Sequence, residues 1–129
     1  MSATTSRISS INLVIIPAVD QDQAIDFYVG TLGFEKTTDT AFGDGYRWVE
    51  VHPPSGGTGI ALAPPPEGSP TAVQTGISLL TDDIDATHAE WQAAGVDVDA
   101  EILRMGAPVP PMFWFRDPEG NTLLVVEQA

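Results

Sequence analysis

The feature that most constrains this chain is an internal repeat. Landmarks of the first half return in the second: Asp20 with Asp82, Gly33 with Gly95, Gly59 with Gly120. The shift of 61 to 62 residues is sustained across three elements. A unit this long, present only twice, implies a pseudo-twofold pair of modules rather than a solenoid. With 129 residues in all, the pair has room for one shared domain with a proper core.

Each unit reads as β-α-β-β-β. In the first, Ile11 to Ile16 is β-branched and stops at Pro17, the pattern of a buried strand. Asp20 or Asp22 caps a helix. Ala24, Phe27, Tyr28 and Leu32 recur at helical spacing before Gly33. Strands are expected at Phe34 to Thr40, Tyr46 to His52 and Gly59 to Ala63. In the second unit a strand from Gly76 to Leu80 precedes a helix capped by Thr81, Asp82 or Asp83. Ile84, Thr87 or His88, and Trp91 form its apolar stripe. Strands follow within Val96 to Leu103, at Met112 to Phe115 and at Thr122 to Glu127, with Asp117 to Gly120 as a turn. Module one spans about 8–66 and module two about 74–128. The Pro-rich stretch 63–70, with four prolines, is an extended linker.

The chain has no cysteine, which excludes disulfides and thiolate metal sites and suits a cytoplasmic protein. A net charge of −13 makes nucleic acid and anionic membrane surfaces poor partners and favours cationic ligands. Met1 to Ser10 has one basic residue and no long apolar run, so neither a signal core nor a membrane span is expected.

Three segments carry a resemblance. Asp20-Gln-Asp-Gln-Ala-Ile-Asp-Phe-Tyr28 with Leu32-Gly33-Phe34 resembles the first helix of the vicinal oxygen chelate superfamily. That group includes glyoxalase I, extradiol dioxygenases, fosfomycin resistance enzymes and bleomycin resistance proteins. Asp82-Asp-Ile-Asp-Ala86 with Ala94-Gly95-Val96 resembles its second helix, and Phe115-Arg-Asp-Pro-Glu-Gly-Asn121 its signature turn. The resemblance implies an α+β fold: two βαβββ modules forming a curled mixed sheet around a shared cup, helices outside. It also implies metal ligands, in metal-dependent members, on the first and fourth strand of each module. Those positions fall on Leu13, Ala61, Gly76 and Leu124, which offer no lone pair to a cation; a slip of one residue would bring in only Asn12. The expectation is therefore no metal and no cofactor, as in the bleomycin resistance proteins.

Strand alternation assigns the faces. Val49, Val51, Phe113 and Phe115 turn toward the helices. Tyr46, Trp48, Glu50, His52, Met112, Trp114 and Arg116 turn the other way, into the cup, with Leu13, Ile15, Ala61, Ala63, Ser78, Leu80, Leu124 and Val126. Apolar walls with sparse polar groups suit a small organic ligand. Trp48 and Trp114 can stack on a flat ring or hold a cation; equally, they can fill core or a dimer seam. Glu50 and His52, at i, i+2 spacing, are the weak catalytic candidates. His88 reads as a structural or exposed helical histidine. Arg116 reads as a partner of Asp117 or Glu119, or of an anionic ligand.

The function these residues suggest is a metal-independent small-molecule-binding protein, probing toward an antibiotic or toxic compound, working as a homodimer. The alternative is a lyase, isomerase or dioxygenase-like enzyme using Glu50 and His52 or an unconventional metal site. A third possibility is a fold kept as an interaction module.

Overall fold

The computed structural model describes residues 5–129; the reading of Met1 to Ser10 falls in part on residues 1–4, outside the described residues. The β-branched run forms β1 (Leu13–Pro17). Asp20 then caps α1 (Gln21–Ile25), its carboxylate accepting the Gln23 N–H at 3.0 Å. The single helix expected up to Gly33 instead widens into a π-helical segment, Asp26–Thr31. Its signature is the Leu32 N–H donating five residues back to the Phe27 carbonyl, 3.0 Å. The wider turn brings two consecutive side chains, Phe27 and Tyr28, into the core region.

Three strands complete the module: β2 (Glu35–Phe42), β3 (Tyr46–His52) and β4 (Gly59–Ala63). The second module repeats the plan with β5 (Gln74–Thr81), α2 (Ile84–Ala93), β6 (Asp97–Val98), β7 (Met112–Arg116) and β8 (Thr122–Glu127). β6 is only two residues long, where a fuller strand was expected within Val96 to Leu103. Its continuation, Asp99-Ala-Glu101, is built from residue types that strands disfavour, and one isolated bridge, Leu103 to Met112, resumes the pairing.

The sheets have the orders β1-β4-β3-β2 and β5-β8-β7-β6. In each, the first strand runs parallel to the last, with Ile15 opposite Ala61 and Ser78 opposite Leu124. Both pairs carry the same shift, and so does the helix cap once corrected. Asp83, rather than Asp82, accepts the Ala86 N–H at 3.0 Å and is the true counterpart of Asp20. The class is thus α+β, with two βαβββ modules whose sheets are neither joined to each other nor closed.

One apolar cluster spans both modules. Ile16, Val49, Val51 and Leu62 from the first sheet meet Phe113, Phe115, Leu123 and Val125 from the second, with Ala24, Tyr28 and Ile84 from the helical segments. The alternation reading of Val49, Val51, Phe113 and Phe115 holds, since all four are buried.

A polar latch reinforces the seam. The buried Asp117 carboxylate accepts from Tyr28 Oη (2.9 Å), the Glu119 and Asn121 N–H groups (3.0 and 2.9 Å) and Asn121 Nδ2 (2.9 Å). Asn121 Nδ2 also donates to the Pro17 carbonyl at 3.0 Å. The Glu119 carboxylate accepts the Val19 and Asp20 N–H groups at 2.8 and 2.9 Å, just ahead of α1. The segment read in the sequence as a turn is also the clasp between the halves.

Burial, reinforced by the neighbouring Asp117 charge and hydrogen bond, pushes the Tyr28 phenol far above its usual range. With a raised folded pKa, the phenol's contribution is complete below the unfolded value of about 10 and is lost as pH climbs above it. Stability should therefore fall by up to about 1.4 kcal/mol per pH unit above about pH 10 from this group alone. Urea titrations of wild type and Tyr28→Phe across that window check it: the variant should show the shallower decline, and parallel curves would refute the assignment.

Candidate functional site

The sheet faces turned away from the core carry the residues singled out for ligand binding. On the first sheet, the β3–β4 register sets Glu50 beside Ala61, and β1 adds Ile15 to that row. Trp48 lies one row toward the start of β3 and His52 one row beyond Glu50. On the second sheet, Trp114 shares a row with Leu124 and Ser78, and Met112 shares one with Val126 and Leu80. The modules' repeat thus superposes Trp114 on Glu50, not on Trp48, so the two indoles are staggered by one row.

Trp48 and Trp114 are both half-buried, as are Tyr46, Glu50, His52 and Met112. Around them the outward face is open: Ile15 is 63% and Leu80 69% exposed. Both belong to β1 and β5, the strands that end each sheet. Clefts of about 460, 390 and 370 Å³ lie under the loop 106–111 and along the seam near Phe34 and Leu79, and none of the three is lined by Trp48 or Trp114.

Hydrogen bonds fix several of these side chains. Trp48 Nε1 donates to Glu50 Oε2 at 2.7 Å. His52 Nδ1 lies 2.8 Å from Thr37 Oγ1. The rest of its ring covers Gly59, where any Cβ would collide with the imidazole. Glu50 and His52 are therefore each engaged with a different neighbour. Arg116 corrects the sequence reading: it bonds Asp99 (2.8 Å) and Asp97 (2.9 Å) rather than Asp117 or Glu119. The cause is register, since Asp97 stands directly across from Arg116, while Asp117 turns inward to Tyr28. The guanidinium holds the Asp97 carboxyl below the usual carboxylate range. His88 is buried and structural, its Nε2 donating to the Asp99 carbonyl at 2.7 Å and its ring standing edge-on to Phe113.

A divalent cation at the family's usual place does not fit these residues. Leu13, Ala61, Gly76 and Leu124 present hydrocarbon or nothing, whereas a divalent ion needs several nitrogen, oxygen or sulfur donors. Among the described residues, no group of three or more His, Cys, Asp or Glu side chains could hold one.

With two such modules, a shared clasp and this surface in view, the comparison with known proteins is direct. The Glyoxalase/Bleomycin resistance protein/Dioxygenase superfamily model matches residues 10–125, and the chain belongs to that superfamily. A member from Sphaerobacter thermophilus is 36% identical with a TM-score of 0.86, over 94% of this chain and 98% of that one. TnmS3, an antibiotic binding protein from Streptomyces sp. CB03234, is 33% identical with a TM-score of 0.83, over 97% and 100%. The YurT protein of Bacillus subtilis is 27% identical over 119 residues, 84% of this chain and 91% of YurT. No helix among the described residues is long and apolar enough to cross a membrane.

Proposed function

We propose that this chain is a metal-independent cytoplasmic binding protein that holds a small organic molecule, such as an antibiotic or other toxic compound, against its tryptophan-bearing faces as a homodimer. The observation that carries this reading is the placement of Trp48 and Trp114, half-buried on the sheet sides opposite the core. An indole held there gives a ligand large apolar area at little entropic cost. The likeness to the antibiotic binding protein TnmS3 supports the ligand class. The lack of donors at Leu13, Ala61, Gly76 and Leu124 supports binding without a metal, and the lack of cysteine fits a reducing compartment.

The homodimer rests on what each chain leaves open. β1 and β5 are edge strands of their sheets, and among the described residues neither pairs with a further strand on its outer side, a standing template for another chain. Ile15 and Leu80 on these edge strands are largely exposed. A second copy would cover this apolar surface and wall in each open face.

A thermal-shift screen against aromatic antibiotics tests the reading, because a ligand that binds only the folded chain raises its melting temperature. Trp48→Ala and Trp114→Ala should each weaken the ligand found by about tenfold or more, as truncated aromatic anchors do, while the melting temperature of the free protein changes little. Silence across the panel, or stoichiometric metal in protein purified without chelator, would count against it.

A further inference from the structure

The charges on these faces are arranged unevenly, and that arrangement bears on which molecule they hold. Among five lysines and arginines in the chain, four are committed to carboxylates: Lys36 and Arg47 to Asp39, Arg104 to Asp85, Arg116 to Asp97 and Asp99. Arg116, the guanidinium on the outward face of the second sheet, is thus shared by two carboxylates and is already over-compensated. An anionic ligand would have to displace them.

Glu50 stands in the opposite situation. Among the described residues its carboxylate accepts one side-chain hydrogen bond, from the Trp48 indole, 2.7 Å through Oε2, while its backbone carbonyl accepts from Thr37 Oγ1 at 3.4 Å. It is half-buried between Ala61 on β4 and Thr38 on β2, and neither neighbour carries a charge. The bond does two things to the indole. It fixes the ring's orientation, because the N–H cannot turn away without abandoning a charge-assisted contact. It also spends the ring's one donor, so that what Trp48 has left to offer a ligand is its π face. A ring face is electron-rich and attracts a cation, more so when part of the contact is shielded from water. An adjacent carboxylate adds direct Coulombic attraction of the same sign.

We propose that Trp48 and Glu50 act together as a cation-recognition pair, selecting a flat, positively charged organic molecule for the face described above. Glu50 is the positioning residue for the indole and the countercharge for the ligand. This deepens the binding-protein reading and rests on it. The excess of negative charge on the whole chain, −13, steers the same class of molecule toward the surface.

Three ring-matched probes test the pair at mildly alkaline pH: N-methylacridinium, uncharged acridine and acridine-9-carboxylate, each titrated by tryptophan fluorescence and calorimetry. The wild-type protein should bind the cation about tenfold or more tightly than the neutral ring, and the anion most weakly. Glu50→Gln keeps an acceptor for the indole N–H but removes the charge, so it should bind the neutral ring as before and lose most of the cation preference. Glu50→Ala should weaken both the cation and the neutral ring, because the indole is no longer held, and the cation more, because the countercharge is gone as well. Equal binding of cation and anion by the wild type, or an undiminished preference in Glu50→Gln, overturns the pair. If in that case Trp48→Ala still abolishes binding, the face remains a ligand site and only its charge selectivity is lost. Failure of all three probes to bind would overturn both the pair and the reading beneath it.

Discussion

Asp117→Ala should destabilise the protein by about 3–5 kcal/mol, because one buried carboxylate is the acceptor for four donors and each would be left with less than it needs. For a domain of this size that is a fall in melting temperature on the order of 10–20 °C. The donors come from both modules, since Tyr28 belongs to the first and Glu119 and Asn121 to the second. Asp117→Asn should be milder, as one oxygen remains to accept the Glu119 and Asn121 N–H groups. Its amide would nonetheless face Asn121 Nδ2 donor to donor. Tyr28→Phe removes a single donor and leaves three hydrogen bonds standing, so it should cost about 1 kcal/mol. Urea denaturation of the three variants checks the order Ala, Asn, Phe. If Asp117→Ala proves no worse than Tyr28→Phe, the carboxylate is not the hub of the clasp.

That hub was visible in the sequence only as a turn. Asp-Pro-Glu-Gly signals a reversal by local chemistry, but nothing local says that the Asp117 side chain reaches Tyr28, 89 positions earlier. The same limit explains Arg116. Its nearest acids along the chain are Asp117 and Glu119, yet strand pairing brings Asp97 and Asp99 to it instead. Where periodicity alone decides, the residues were readable. Val49, Val51, Phe113 and Phe115 follow from alternation, and the strand bounds of β3, β4 and β8 coincide with their apolar runs.

The π-helical segment shows a different kind of limit. Ala24, Phe27, Tyr28 and Leu32 fit a helical period loosely, and the adjacent Phe27 and Tyr28 cannot both sit at the centre of one α-helical stripe. The widened turn accommodates both. Propensity favoured a helix without indicating which kind, because the choice depends on what Phe27 and Tyr28 meet across the seam. The candidate site was legible to the same degree as the strands that carry it. Facing of Trp48, Glu50, His52 and Trp114 followed from alternation, whereas the Trp48–Glu50 and Thr37–His52 contacts depend on side-chain geometry.

Those seam contacts set up the second large effect. Phe115→Ala should lower stability by about 3–5 kcal/mol, the range for emptying a buried aromatic site. The ring is fully buried, 4.9 Å between centroids from Trp91 in a T-shaped contact and 6.4 Å from Phe27. Trp91 belongs to α2 and Phe27 to the π-helical segment of the other module, so the cavity would open on the boundary between the halves. Phe115→Leu keeps most of the volume and should cost markedly less. The informative measurement is a double-mutant cycle of Phe115→Ala with Phe27→Ala, followed by chemical denaturation. Residues that share one cavity do not add, and a coupling of about 0.5–3 kcal/mol is expected. Modules that merely sat side by side on a linker would give additive costs and two separable transitions. A single cooperative transition with coupled costs is what one core built from two repeats requires, because Phe115 of the second sheet packs against both Trp91 of its own module and Phe27 of the other.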